Sequence, residues 1–254
     1  MASRPAFFPN FDKIGIETRF FDFDWHPGFA PSQKKKNVEG LHAAIAACHP
    51  GSRPLEISSK SLRPEGVALS AFNLKLPIGG VPCTVESVFQ ASKVFACLTK
   101  DELEAEIRLT DEAHEAVGDC IGPFPELYPR DSREVRRIVR ERTSDCTVVI
   151  RIMDYVGEKP ACFRLVSFKL DGVRWPLLPR TAFYDWLYLK ALAANPELAA
   201  AVEGFDCFTD IEFNPERSLN CQAAAAALYR SLKHASRLEE ALSSQEAFLR
   251  IHPA

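Results

Sequence analysis

A chain of 254 residues, 46% hydrophobic and 26% charged, has the make-up of an ordinary globular protein and is long enough to bury a core. Its formal charge of −3 excludes a protein that coats nucleic acid through phosphate contacts alone, and leaves only a local patch for such contacts. No apolar run approaches a membrane span and residues 1–10 lack the apolar centre of a secretion signal, so a cytoplasmic protein without a membrane partner is expected.

In chain order, residues 4–31 are rich in Phe and Pro. The alternation over 19–25 predicts a strand, closed by a turn at His26-Pro27-Gly28. Ser32-Gln33-Lys34-Lys35-Lys36 then leads into a helix through 41–47 that ends near Pro50-Gly51. The lysines read as a hydrated helix entrance, with contact to a phosphate or a partner as the alternative. Residues 1–52 carry too few apolar side chains for a core of their own. They are expected to form a strand and helix extension packed on a main domain over 53–238, with 239–254 as a tail.

Short strands are predicted over 55–58 and 67–76, with Gly79-Gly80 as a hairpin turn. Backbone that approaches a pyrophosphate is the weaker reading of the two glycines, because a further strand-like stretch follows them. Phe72-Asn73 fits either a buried Phe with a turn-facing Asn, or a stacking and hydrogen-bonding pair for a nucleotide. Residues 85–95 predict a helix capped by Thr84, in which Val85, Val88, Phe89, Ser92 and Ala96 line one face. On another face the same turns stack Glu86, Gln90 and Lys93, a carboxylate, an amide and an amine. A solvated polar face is the plain alternative.

Residues 100–117 predict an exposed amphipathic helix, broken at Gly118 and again at Gly122-Pro123-Phe124. Between Arg130 and Arg142 six arginines face Asp131, Glu134 and Glu141, in a helix from about Ser132. It is either laced by its own ion pairs or turns Arg133, Arg136, Arg137 and Arg140 toward phosphate. Strands follow over 146–153 and 162–170, then a loop at 175–179 anchored by Trp175, whose prolines deny it to a helix. Thr181 caps a helix bearing Phe183, Tyr184, Asp185, Trp186, Leu187 and Tyr188. These are core aromatics, or else a ligand wall to which Tyr184 and Asp185 contribute. Polar residues lie among aromatics over 205–215, and Ser218 opens an Ala-rich helix to about Lys233, with Asn220 and Gln222 at its entrance. The sum is one α+β domain, largely helical, with short strands.

The eight cysteines and six histidines are dispersed, with no zinc-knuckle or metalloprotease spacing, so reduced thiols, no metal and no cofactor are expected. A nucleophile elbow, a P-loop and a dinucleotide fingerprint are all missing.

The helix Glu86-Ser-Val-Phe-Gln90-Ala-Ser-Lys93-Val-Phe, preceded by Ser70-Ala-Phe72-Asn73, resembles the signature of the NADAR (NAD and ADP-ribose associated, YbiA-like) family. Further blocks resemble its bacterial subfamily, the antitoxins to a DNA ADP-ribosyltransferase (DarT-type) toxin. They are Trp25-His-Pro-Gly-Phe with Ser32-Gln-Lys34, Gly122-Pro-Phe124 with Ser132-Arg-Glu134, and Trp175-Pro176 with Thr181-Ala-Phe-Tyr-Asp-Trp186. A last block is Phe208-Thr-Asp210-Ile-Glu-Phe-Asn214-Pro with Asn220-Cys-Gln222. The chain departs from the pattern in the alanine run after Gln222 and in the length of 98–119.

The resemblance implies a NADAR-type α+β fold and a hydrolase, an N-glycosidase that removes ADP-ribose from guanine in single-stranded DNA. Its partners would be ADP-ribosylated DNA, ADP-ribose as product and the cognate toxin. Cleaving a ribosyl–nitrogen bond builds positive charge on the ribose, which a carboxylate stabilises, while the departing base needs a proton. Glu86 is the expected acid/base carboxylate, Lys93 the nucleophile that forms an imine at the opened ribose, and Asp210 a second carboxylate. Gln90 is expected to orient this row. Phe72, Trp175, Tyr184 and Asp185 are expected to stack on or wall the nucleotide, and Asn73, Arg133 and Asn220 to hold its polar groups. An N-glycosidase acting on a riboflavin-pathway intermediate is the alternative enzyme, and a non-catalytic module that binds ADP-ribose or blocks the toxin is the alternative without chemistry.

Overall fold

The structure, a computed structural model, describes residues 1–28, 30–98, 139–142, 148–152, 161–215 and 218–253. In chain order it contains β1 (Ala2–Pro9), β2 (Ile16–Phe23), α1 (Pro31–Cys48), β3 (Pro54–Glu56), α2 (Pro64–Ala68), β4 (Lys75–Ile78), β5 (Val81–Thr84), α3 (Val85–Ala91) and β6 (Lys93–Leu98). There follow β7 (Val139–Arg142), β8 (Val148–Ile152), β9 (Ala161–Leu170), β10 (Val173–Trp175), α4 (Ala182–Ala193), α5 (Pro196–Val202), β11 (Cys207–Thr209), α6 (Gln222–His234), α7 (Leu238–Ser243) and α8 (Gln245–Ile251). The fold is α+β. Its elements divide into two units, Met1–Phe89 with Leu178–Ala254, and Gln90–Leu177. Among the described residues no helix is long and apolar enough to cross a membrane.

The first unit is built on a four-stranded sheet in the order β2-β1-β11-β3. β1 and β2 form an antiparallel hairpin from Ala2↔Phe23 to Pro9↔Ile16, and β11 joins β1 antiparallel and β3 parallel. Alternation along the strands turns Ala6, Phe21 and Phe23 into one cluster with Val38, Leu41 and Ile45 of α1. Each such buried aliphatic side chain contributes about 1.5–3 kcal/mol. Phe7 and Phe208, adjacent to Ala6 and Cys207 in their strands, are buried as well, and α6 packs against β1 and β11. The helix predicted over 41–47 extends back to Pro31, so the lysine run lies inside its first turns. Asn37, fully buried on α1, exchanges two hydrogen bonds with His26: His26 N–H donates to Oδ1 at 2.7 Å and Nδ2 donates to the His26 carbonyl at 3.0 Å.

Residues 67–76 depart from their predicted strand. Pro64 occupies the first turn of α2, and the chain then turns through Leu69–Asn73 before β4 begins at Lys75. Local bonds decide this: the Asn73 Nδ2 donates to the Val67 carbonyl and to Ser70 Oγ, and Leu69, Ala71 and Leu74 are buried by the turn. The Gly79-Gly80 hairpin forms as predicted between β4 and β5, both glycines having positive φ. Thr84 caps α3, its Oγ1 accepting the Ser87 N–H at 3.2 Å.

α3 ends at Ala91 rather than near 95, and Lys93 opens strand β6. The proposed three-residue row on one helix face is thereby corrected: Glu86 and Gln90 share the helix and Lys93 does not. The residues after Ser92 pair with β9 from Lys93↔Phe168 to Leu98↔Cys162, and this ladder outcompetes another helical turn. The Ala-rich helix likewise starts at Gln222 and not at Ser218, because Cys221 is extended with φ −135° and ψ 119°. In the second unit β9 pairs with β6, β8 and β10, and β8 pairs with β7. Strands β8 and β9 lie where the sequence predicts them. Val139–Arg142 is a strand, however, where a basic helix is predicted, since its residues pair antiparallel with β8. The predicted helix over 100–117, the Gly122-Pro123-Phe124 loop and Arg133, Arg136 and Arg137 lie outside the described residues.

Gly66 fixes how closely α2 approaches β3: a Cβ there would stand 2.0 Å from the Glu56 carbonyl oxygen and 2.2 Å from Ser61 Oγ. Gly66→Ala must therefore displace backbone, and a loss of about 2–4 kcal/mol in stability is expected from urea unfolding. A midpoint equal to that of the parent would refute the close packing.

Candidate active site

Parallel pairing of β3 with β11 sets Glu56 opposite Thr209, inside the first unit. Glu56 is only 1% exposed. Its carboxylate accepts Ser58 Oγ–H at 2.6 Å, Thr209 Oγ1–H at 2.7 Å and the Ile211 N–H at 2.9 Å. The Lys60 N–H donates to Ser58 Oγ at 3.0 Å, which leaves the Ser58 hydroxyl to act as donor toward Glu56. His42 Nε2 lies 2.9 Å from Thr209 Oγ1. Burial pushes His42 down to about 4, so its ring is neutral near pH 7 and can donate to Thr209.

Asp210 stands between Thr209 and Ile211, the two residues that Glu56 grips. It is 7% exposed; its Oδ1 accepts the Glu212 N–H and its Oδ2 accepts Gln222 Nε2–H, both at 3.0 Å. Burial, and after it the repulsion of Glu56, push Asp210 up to about 8. Burial raises Glu56 too, but three donors oppose it there. Of the two acids, Glu56 is thus the better held as an anion and Asp210 keeps its proton at neutral pH.

Gln222, the first residue of α6, ties this pair to the rest of the site. Besides Asp210, its Nε2 donates to the Ile57 carbonyl at 2.6 Å, and its Oε1 accepts the Ala71 N–H at 2.6 Å. The Ala71 carbonyl in turn accepts the Glu86 N–H at 2.9 Å. A continuous hydrogen-bonded path therefore runs Asp210–Gln222–Ala71–Glu86. Phe72, next to Ala71, is 68% exposed, and Asn73 follows it with its amide nitrogen committed to the turn. Tyr184 of α4 is buried within electrostatic reach of Asp210 and Glu86. Burial, then repulsion from Tyr188, Cys221, Asp210 and Glu86, raise it well above the usual phenol range, so it stays neutral.

Other expected residues fall differently. Asp185 is buried against His252, whose Nε2 lies 3.0 Å from its Oδ2, so this carboxylate joins α4 to the C-terminal helix region. Asn220 has a buried Oδ1 with no hydrogen-bond partner among the described residues. In the second unit Lys93 and Trp175 both pair with Phe168 of β9, one from each side, which puts the three side chains on one sheet face. Trp175 and Phe168 are buried, Lys93 is half-buried, and its Nζ donates to Gln90 Oε1 at 2.7 Å. Arg133 lies outside the described residues.

Sequence reasoning missed Glu56, Thr209 and His42 as members of the cluster, and placed Gln222 only at a helix entrance. One signal was present at Glu56, an acid between Leu55 and Ile57 in a strand whose neighbours on both faces are buried.

The model of the DarT1-associated NADAR antitoxin family matches residues 2–100 and 158–254. The chain belongs to this family. It is thus an antitoxin of NADAR type whose implied partner is a DarT toxin. No curated protein matches the chain. Glu56, Phe72, Glu86, Lys93, Trp175, Tyr184, Asp210 and Gln222 of the antitoxin all fall within the matched segments, whereas Arg133 falls between them.

The buried acids make stability depend on pH. With Asp210 raised from 3.8 to about 8, the folded antitoxin holds a proton that the unfolded chain releases, so stability is fully present below about pH 4 and is lost as pH rises toward 8. His42, lowered to about 4, acts in the opposite sense but only below its unfolded value of 6.5. Between pH 6.5 and 8 the parent is therefore expected to lose about 1 kcal/mol per pH unit relative to Asp210→Asn. Thermal unfolding of the two proteins checks this; parallel profiles would show that Asp210 is ionised throughout.

Proposed function

We propose that this antitoxin is a hydrolase that removes ADP-ribose from guanine bases of single-stranded DNA, reversing the modification made by its toxin. The observation that carries the reading is the buried Asp210, held protonated at neutral pH and linked through Gln222 and Ala71 to Glu86 and the exposed Phe72. An N-glycosidic bond to a base breaks when the base receives a proton and the ribose carbon receives electrons. Asp210 supplies the proton. Glu86 stabilises the positive charge that develops on the ribose, and Phe72 offers a ring face on which the nucleotide stacks.

Lys93 is the nucleophile in this scheme. Its neutral amine bonds to the ribose C1′ as the bond from C1′ to the guanine nitrogen breaks, and water takes the proton that the amine sheds. Opening of the ring C1′–O bond gives an imine, and water then returns the amine and releases ADP-ribose. Gln90 Oε1, which accepts from Lys93 Nζ, orients the amine. Trp175, on the same sheet face as Lys93, walls the nucleotide.

Incubating the purified protein with an oligonucleotide that bears ADP-ribosylated guanine tests this directly. Free ADP-ribose and restored DNA are expected, and an intact adduct would leave the chain an antitoxin that acts by binding alone. Lys93→Arg keeps the charge but forms no imine, so turnover should be abolished; hydrolysis by that variant at the parental rate would remove the covalent step. Asp210→Asn should lower kcat by about 10²- to 10⁴-fold.

A further inference from the structure

We propose that Glu56 is a positioning residue whose buried carboxylate, clamped by hydrogen bonds to the residues on either side of Asp210, dictates that the shared proton of this acid pair resides on Asp210. The inference rests on the reading of Asp210 as proton donor, and it extends that reading to a side chain that meets no substrate atom.

The geometry is one-sided. Glu56 Oε2 receives the Thr209 hydroxyl, and Oε1 receives both the Ser58 hydroxyl and the Ile211 N–H. Each hydroxyl has a partner placed to donate to it, Ser58 the Lys60 N–H and Thr209 the His42 Nε2 in the tautomer that carries its hydrogen there. A hydroxyl that already accepts a hydrogen bond is set to donate, so all three groups around Glu56 present hydrogen to it and none presents a lone pair. A protonated Glu56 would leave one of those donors facing an O–H. Asp210 has two donors, the Glu212 N–H and Gln222 Nε2–H. With two acids in one dry space, the proton settles on the acid with fewer donors.

The other groups around Asp210 do not reverse this order. Glu212 follows it in the chain and adds repulsion, and Glu86 of α3 is a further carboxylate. Tyr184 and Tyr188 of α4 and Cys221 before α6 are held neutral by burial. Gln222 carries no charge. His42 on α1 is neutral, lowered by burial and by repulsion from Arg63. Among the described residues, the groups that act most strongly on Asp210 include no cation.

Glu56→Gln removes the charge while keeping the volume, and Thr209→Val removes one donor while keeping the branched shape. The Asp210 carboxyl carbon, followed by NMR in protein labelled at aspartate and assigned with Asp210→Asn, should titrate at least about one pH unit lower in Glu56→Gln than in the parent. Thr209→Val should move it in the same direction by less, and this variant carries the test if Glu56→Gln does not fold. The descending limb of kcat against pH on the ADP-ribosylated oligonucleotide should shift downward by the same amount, with KM little changed. An Asp210 midpoint that stays within about 0.3 pH units of the parent in the folded variants overturns the proposal. If the midpoint falls but the parent releases no ADP-ribose, the positioning role stands and the hydrolase reading fails.

Discussion

Everything in the first unit turns on one parallel pairing, β3 against β11. That short ladder, Cys207↔Pro54 to Thr209↔Glu56, lies between a hairpin on one side and buried helices around it. It brings two acids distant in sequence into one space from which water is excluded. Two carboxylates in such a space do not both ionise cheaply, and the protein answers with a dense set of donors: two hydroxyls, two backbone N–H groups and the Gln222 amide. The donors are divided unequally, and this asymmetry converts a costly burial into an acid that keeps its proton at neutral pH.

The same constraint explains the neighbouring architecture. Gln222, the first residue of α6, reaches Asp210, the Ile57 carbonyl and the Ala71 N–H at once. Ala71 then holds the start of α3 through the Glu86 N–H. The turn at Leu69–Asn73 exposes Phe72 because its neighbours Ala71 and Leu74 are taken by the interior. The exposed Phe72 thus sits next to the residue that Gln222 ties to Asp210, within a chain of the NADAR antitoxin family. Lys93, Gln90 and Trp175 gather separately within the second unit, around the central position Phe168 of β9.

Some contacts hold sequence blocks in place. Lys34 reaches Glu212 at 3.2 Å and lies over the Trp25 ring, while Asn37 secures the His26 turn. The Trp25 and Lys34 blocks therefore support the segment that carries Asp210. Asp185, paired with His252 in the interior, plays a comparable part for α4.

The sequence by itself determined the α+β class, the Gly79-Gly80 hairpin, the Thr84 cap, the strands β8 and β9, and, through its ordered blocks, the family. These are legible because they depend on local chemistry: positive-φ glycines, a hydroxyl three residues before an N–H, alternation over several residues. It also marked Asp210, Glu86 and Lys93 as residues of interest. Only the tertiary structure decided that α3 stops before Lys93, because pairing with β9 lies some seventy residues away in the chain and no local signal reports it. Only the tertiary structure brought Glu56 to the residues on either side of Asp210, across more than a hundred and fifty residues, and made Gln222 the link from Asp210 to Ala71. Protonation depends on burial and on neighbours in space, and neither is written in the order of residues.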